Sequence, residues 1–305
     1  MTVKRTPSTR SGPLAAVFAT AMLALAPAQA LASACHSFVQ SVPDLRVAVL
    51  DLTPAAAAGS STTTAQTILS DVSAQDVLAS VGEMEITFVG HSTYRITSPG
   101  GVVVATDYNG RHGQGRLPDV VTMNNAHSTH YTDFPDPGIT HVLRGWTSGG
   151  PGPAAHLLEL GDMVVRNVPT DIRSGFAGRR PDGNSIFVFE IGEICIAHLG
   201  HIHHTLSDTH YNQLGRIDVL MAPVDGTYTL SLADMIGIAK RLKSRIVLPM
   251  HSFGSASLRL FIDGMRDEFA VQVRDERTMR LAQGGLPDVP TVMILGSSRL
   301  RGWED

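Results

Sequence analysis

The chain has 305 residues, 43% hydrophobic and 17% charged, a composition that suits a folded protein with a sizeable core rather than a disordered or fibrous one. Its formal net charge is −4 and it has no basic run. Nucleic-acid binding by counter-ion release is therefore set aside as a function class.

The first 34 residues read as a secretory signal. Lys4, Arg5 and Arg10 form a basic start and Leu14 to Ala26 an apolar core. Small residues then run from Ala28 up to Cys35, placing cleavage between Ala30 and Cys35. The apolar core is too short to cross a bilayer comfortably. An uncleaved anchor and a lipidated Cys35 are the weaker alternatives, the second because Ala32 stands where lipoprotein signals carry Leu. The expected product is periplasmic or secreted, without a stable membrane anchor. Loss of the three leader cations takes the net charge from −4 to −7. Export places Cys35 and Cys195, the two cysteines, in an oxidising compartment where a bridge between them can persist. The alternative is that Cys195 is simply a small buried residue in an apolar run. Two cysteines exclude a cysteine-rich metal site.

Residues 35–83 are expected to be an N-terminal segment and tether, with low complexity over 53–67, and residues 84–305 the folded domain. The alternation of apolar residues predicts strands at Glu85–Val89, Tyr94–Thr97, Val102–Thr106, Val120–Met123, Val142–Arg144, Leu157–Val168 and Ser185–Ile191. Further strands are predicted at Ile194–His198, Ile217–Met221 and Ile246–Met250. A short helix is predicted over Asp208–Leu214, starting from Ser207 and stopping at Gly215. Ser231 with Asp234 gives a capping signature for a helix through Leu232, Met235, Ile236, Ala239 and Leu242. Another helix runs through Leu258, Phe261, Ile262 and Met265. This pattern alone supports one domain of α/β or α+β class.

Of the 13 histidines, ten lie between His127 and His251. Three histidine-bearing segments share one form, an apolar strand running directly into polar residues. They are Val120 to His130, Ile194 to His204, and Ile246 to His251. Strand ends on a rigid sheet can hold ligands with little reorganisation, and neutral imidazole is the commonest protein ligand for zinc-like ions. Histidines from separate strand ends therefore suggest a metal pocket. A lone histidine after a strand is more often an ordinary surface residue, and His36, His112, His141, His156 and His210 are read that way.

The segment Met84-Glu-Ile-Thr-Phe-Val-Gly-His-Ser-Thr-Tyr-Arg-Ile, followed by Val102-Val-Val-Ala-Thr-Asp107, resembles the opening of metallo-β-lactamase-fold hydrolases. It is most similar to the ascorbate-6-phosphate lactonase-like branch, which includes a phospholipase D acting on N-acylated phosphatidylethanolamine. That branch carries His-x-His-x-Asp-His, then His-Leu-Gly-Asp, a Pro-Val-Gly-Gly-like turn and Pro-Met-His. The corresponding stretches are Asn125-Ala-His-Ser-Thr-His130, His198-Leu-Gly-His201, Pro223-Val-Asp-Gly-Thr-Tyr-Thr and Pro249-Met-His251. The resemblance spans about residues 84–254. It implies an α+β, four-layer αββα sandwich.

The departures bear on chemistry. Asn125 stands where the branch has its first His, Thr129 where it has an Asp, and His201 where it has the bridging Asp. The resemblance implies His127, His130 and His251 as metal ligands, and position and chemistry add His201. Asp171 is expected as an oxygen ligand near the strand that usually supplies a further His. His91, Asp107, Asn125 and His198 are expected around the ligands, and His203 and His204 as proton carriers. Without a bridging carboxylate, two close dications would repel with little compensation, so one ion is expected. Zinc suits a nitrogen set, with iron or manganese as alternatives. The expected function is metal-dependent hydrolysis of a small-molecule ester, lactone or phosphoester. The rival is a metal- or ligand-binding protein of the same fold without turnover. An ordinary β-lactamase is the least favoured reading, because its ligand set is incomplete here.

Overall fold

Period-two burial sorts the strands of this chain into two sheets with a shared interior. The computed structural model describes Cys35 and residues 82–125, 127–147, 152–174 and 178–297. The leader at 1–34 and the tether at 53–67 lie outside the described residues, as does most of the segment 35–83.

One sheet has six strands in the order β13-β1-β2-β3-β4-β5. They are β1 (Met84–Gly90), β2 (Thr93–Thr97), β3 (Val103–Ala105), β4 (Val120–Met123), β5 (His141–Arg144) and β13 (Thr278–Leu281). The other has eight, in the order β12-β14-β11-β10-β9-β8-β7-β6. They are β6 (Leu157–Leu160), β7 (Met163–Ser174), β8 (Gly178–Ile191), β9 (Ile194–His198), β10 (Val219–Pro223), β11 (Ile246–Met250), β12 (Ala270–Val273) and β14 (Thr291–Ile294).

Ile86, Ile96, Val104 and Val120 of the first sheet meet Phe187, Phe189, Ile196, Met221 and Leu248 of the second in one buried cluster. The alternate residues of the eight-stranded sheet, among them Val188, Ala197, Leu220 and Val247, point the other way. There they are covered by α1 (Asp208–Leu214), α2 (Leu232–Leu242) and α3 (Ser255–Met265). Both faces of β9, β10 and β11 are thus covered, which explains their unbroken apolar runs. The outer face of the six-stranded sheet packs Ala105, Val121 and Met123 against Tyr108, Ile139 and Trp146. That cluster draws on loops and, among the described residues, contains no helix. The α+β sandwich is therefore seen with its helical layer on one side.

The helix caps follow the sequence signals. The Ser231 hydroxyl accepts from the Asp234 N–H at 3.2 Å. In α1 the Ser207 hydroxyl accepts from the His210 N–H, and the Ser207 N–H donates back to His210 Nδ1 at 3.0 Å. One strand expectation is corrected, and three strands are added. The run Leu157–Val168 is not one strand but the hairpin β6–β7, turned at Gly161-Asp162, where Gly161 has φ 57°. The Asp162 carboxylate then accepts from the Ser98 hydroxyl (2.5 Å) and the Gly100 N–H (2.6 Å), tying this turn to the β2–β3 turn. Strands β12, β13 and β14, each four residues long, were not expected.

Cys35 and Cys195 form a disulfide, so Cys195 is both buried and bridged. The Cys35 carbonyl also accepts from the Arg216 N–H at 2.9 Å. The bridge spans 160 positions in sequence and fixes position 35 to β9, the strand that leads into His198 and His201. Cross-linking so long a loop restricts the unfolded chain strongly. A Cys35→Ala/Cys195→Ala variant is expected to lose about 2–4 kcal/mol in urea unfolding, with reductant lowering the wild type but not the variant. Equal stability of the two proteins would refute this role.

Candidate metal centre

Parallel strands β9, β10 and β11 all end at one edge of the eight-stranded sheet, and β4 ends at the same site from the other sheet. Loops after these ends carry the chemistry, as expected for ligand sites at strand C-termini. The loop after β4 is closed by Asn124 N–H to His130 O (3.1 Å) and His130 N–H to His127 O (2.9 Å), so a short segment presents two imidazoles. His201 follows β9 and His251 follows β11. One nitrogen from each of His127, His130, His201 and His251 lies within 4.8 Å of all the others. Three of these residues are buried and His127 is exposed at the rim.

Two carboxylates set the orientation of this group. Asp107 Oδ2 lies 2.7 Å from His130 Nδ1, with both side chains fully buried. Asp225 Oδ1 lies 3.0 Å from His251 Nδ1. Burial would raise the Asp107 carboxyl, but the His130 and His198 rings and hydrogen bonds from His130 and Asn124 outweigh it and hold it below the usual range. At Asp225 burial is again outweighed, here by hydrogen bonds from His251, Thr229 and the backbone. Both are carboxylates, which only accept, so each partner imidazole donates from Nδ1. Its Nε2 is then left as a lone pair.

The consequence is a fit test for a cation. His130 Nε2 and His251 Nε2 face each other at 3.2 Å, and in the neutral rings set by the two carboxylates both of these nitrogens carry lone pairs. His127 Nε2 and His201 Nε2 approach to 3.0 Å. Lone pairs of neutral rings so arranged repel unless a proton or a metal cation sits among them, and four ring nitrogens converging from separate loops are a donor set for the latter. The spacing also suits one, since nitrogens bound to zinc at about 2.0–2.1 Å in a tetrahedron stand roughly 3.3 Å apart. Burial, with the neighbouring rings, lowers the His201 imidazole to about 2, and the same causes lower His127. The residues present therefore fit a metal ion.

The shell behind the rings is built closely. Asn124 donates to Asp107 Oδ1 at 2.9 Å and accepts from the Ser185 N–H at 2.8 Å. It sits between Gly145 and Gly200, where a Cβ would come within 2.6 Å and 2.4 Å of its amide. Glycine at both positions is what admits it. Asp107, His91 and His251 all hold positive φ, at 43°, 54° and 56°. Non-glycine residues held there are strained, and such strain concentrates at functional sites.

The remaining expected residues are placed as follows. His91 Nε2 is 3.1 Å from the Thr129 hydroxyl, which is itself 2.8 Å from His127 Nδ1. Burial and the His251 and His130 rings push His91 down to about 4. His198 Nδ1 accepts from the Gly200 N–H, so its Nε2 donates to Ser92 O at 2.8 Å. The Ser92 hydroxyl in turn meets His130 Nδ1 at 3.2 Å, which links His198 to the ring group from behind. His203 Nε2 is 3.1 Å from His201 Nδ1, and burial, Arg173 and His204 lower its ring to about 4. Among the described residues His203 Nδ1 and His204 Nε2 are buried with no partner at full hydrogen-bond geometry, although the Tyr228 backbone lies close enough to favour the charged form of His203.

Asp171 is not part of the four-histidine group. It sits at a register shift in β7–β8, where its carboxylate accepts from Arg179 Nε and from the Asp182 N–H (3.0 Å). Those bonds commit it to the hairpin. Asn125 also faces away, its amide oxygen turned to accept from Arg180 at 2.9 and 3.0 Å. Its neighbour Asn124 is the residue that serves the site. Asn124 and Asp225 were both missed. Asp225 was visible as the departure from Gly in Pro223-Val-Asp-Gly, and nothing in sequence distinguished Asn124 from Asn125.

A model of the beta-lactamase superfamily domain matches residues 85–251. The chain is 26% identical over 245 residues to a UPF0173 metal-dependent hydrolase of Anaeromyxobacter dehalogenans, covering 68% of this chain and 88% of that protein. It is 25% identical over 234 residues to another from Cupriavidus metallidurans, covering 62% and 78%. Among solved structures, a candidate Zn-dependent hydrolase of the metallo-beta-lactamase superfamily from Thermotoga maritima superposes with a TM-score of 0.51 at 25% identity. It covers 70% of this chain and 98% of that one.

The geometry makes a prediction about metal retention. His251→Ala is expected to abolish it, whereas His156→Ala, whose ring instead meets Arg144 O at 2.7 Å, is expected to retain wild-type metal content. Asp107→Asn should weaken metal affinity about 10- to 100-fold by disturbing the His130 tautomer. Equal metal content in the His251 and His156 variants, by elemental analysis after dialysis, would contradict the ligand assignment.

Proposed function

The chain belongs to the beta-lactamase superfamily, and from that premise we propose that it is an exported metal-dependent hydrolase centred on one dication held by His127, His130, His201 and His251. The observation that carries this reading is the convergence of four ring nitrogens within 4.8 Å of one another, two of the rings backed at Nδ1 by a buried carboxylate. The names of the Anaeromyxobacter and Cupriavidus relatives support the reaction class.

Charge supports a single ion. Asp107 and Asp225 contribute two negative charges within one imidazole of the centre, which match one dication and leave no bridging anion for a second. Four nitrogen ligands favour zinc over harder ions. Such an ion, when bound with a further coordination position open beside the imidazoles, would supply Lewis acidity, polarising a carbonyl or phosphoryl group and making water a nucleophile near neutral pH.

The chain's own residues do the rest. Asp107 and Asp225 keep the His130 and His251 rings oriented. Asn124 holds Asp107, and His203 holds His201 through the bond between Nε2 and Nδ1. The unpartnered nitrogens of His203 and His204 are the groups assigned to accept and release a proton. The substrate class is a small-molecule ester, lactone or phosphoester. The Cys35–Cys195 bridge supports a periplasmic or secreted location, because such bonds persist in oxidising compartments.

A second reading, a binding protein without turnover, is favoured by Thr129. Its hydroxyl is engaged with His127 and His91 and offers no carboxylate chemistry. The two readings separate on purified protein assayed with a generic phosphodiester and a lactone. One equivalent of tightly held metal with chelator-sensitive turnover is the expected result. Bound metal with no turnover of either substrate would establish the binding protein instead, and no bound metal would overturn both.

A further inference from the structure

Two large rings stand in solvent beside the histidine group. Tyr228 is 62% and Phe253 63% exposed, yet they contact each other with centroids 5.3 Å apart and planes at 64°. Phe253 also lies 5.0 Å from the His251 ring and 5.6 Å from His91, so the pair is continuous with the centre. Exposed apolar residues scattered singly need no explanation, but a contacting pair at the mouth of a site does.

The loop that presents Tyr228 is held rigid. Asp225 Oδ2 accepts from the N–H groups of Thr227 (2.9 Å), Tyr228 (2.5 Å) and Thr229 (3.0 Å), and Oδ1 accepts from the Thr229 hydroxyl (2.5 Å). From the other side, Arg173 donates to the carbonyls of Thr227 (3.0 Å) and Thr229 (2.5 Å). Bonded on both sides, the backbone at 227–229 is fixed in place, and it carries the Tyr228 ring on its solvent side.

We propose that Tyr228 and Phe253 form a subsite for an uncharged aryl group of the substrate, adjoining the bond that is hydrolysed. Two rings at a steep mutual angle offer one face and one edge to a third ring, an arrangement that aromatic groups favour at 4.5–7 Å centroid separations. A flexible alkyl chain would gain less from flat, pre-positioned surfaces. The subsite rests on the hydrolase reading for its role in catalysis, but not for its ability to bind.

The test compares phenylphosphonate with methylphosphonate on the zinc-loaded protein by calorimetry. The two anions present the same head group to the metal and differ in the side group. Phenylphosphonate is expected to bind roughly tenfold more tightly. Phe253→Ala and Tyr228→Ala should each shrink that preference several-fold and leave methylphosphonate binding unchanged. Equal affinities in the wild type, or tighter binding of hexylphosphonate than phenylphosphonate, would overturn the proposal, the second result assigning the rim to an alkyl chain instead.

If neither phosphonate binds the zinc-loaded protein, the ion has no position open to substrate and the hydrolase reading fails, while a second measurement still decides the subsite. Benzyl alcohol added to the metal-free protein should shift the Tyr228 and Phe253 amide resonances in the wild type and not in Phe253→Ala. No shift in the wild type would refute the subsite.

Discussion

The arrangement turns on two carboxylates standing behind two imidazoles. An ionised Asp107 and an ionised Asp225 can only accept, so His130 and His251 donate from Nδ1, and in their neutral forms they turn their Nε2 lone pairs toward each other. The surrounding structure serves that constraint. Asp107 and His251 adopt left-handed backbone conformations that cost of order 1–2 kcal/mol each, and they persist because their surroundings over-determine them. Asn124 braces Asp107 from a slot that any side chain at residue 145 or 200 would fill. The backbone N–H groups of residues 227–229 brace Asp225. Rings fixed in this way need little reorganisation to receive a cation.

Much of the fold was legible because burial on both faces leaves a plain signature. Strands β4, β9 and β11 and helices α1 and α2 fall where the sequence pattern places them. The misses have physical causes. A Gly-Asp turn inside an apolar stretch hid the β6–β7 hairpin, since a tight two-residue turn interrupts hydrophobicity very little. Strands β12 to β14 are only four residues long, and β12 lies at a sheet edge with an exposed-and-intermediate burial pattern. In the site, the four rings that converge are the four named from sequence, because strand-end histidines announce themselves. The layer behind them was harder. Asp171 looked like a ligand by position, yet a register shift delivers its carboxylate to Arg179. Side-chain direction after a bulge is not a sequence property.

The departures from the family motif acquire a common meaning. In the relatives suggested by resemblance, carboxylates sit among the ligands, where they bridge and neutralise two metals. Here position 201 is an imidazole, and both nearby carboxylates stand one ring further out. Negative charge has been moved from contact to support. On the proposed reading such a centre carries enough anion for one dication, and its ligands would be neutral donors whose basicity is raised from behind. Thr129 fits the same pattern, since a hydroxyl spanning His127 and His91 joins rim rings without adding charge.

Asp225 has two masters. One oxygen reaches His251, and the other gathers the amides that hold Tyr228 out in solvent. A single carboxylate thus joins the innermost ring to the backbone of the outermost one. If occupancy of the centre shifts the Asp225–His251 bond, the shift is felt at the rim, and by linkage occupancy of the rim is felt equally at the centre. The mouth of this site and its centre would then respond to occupancy as one cooperative element.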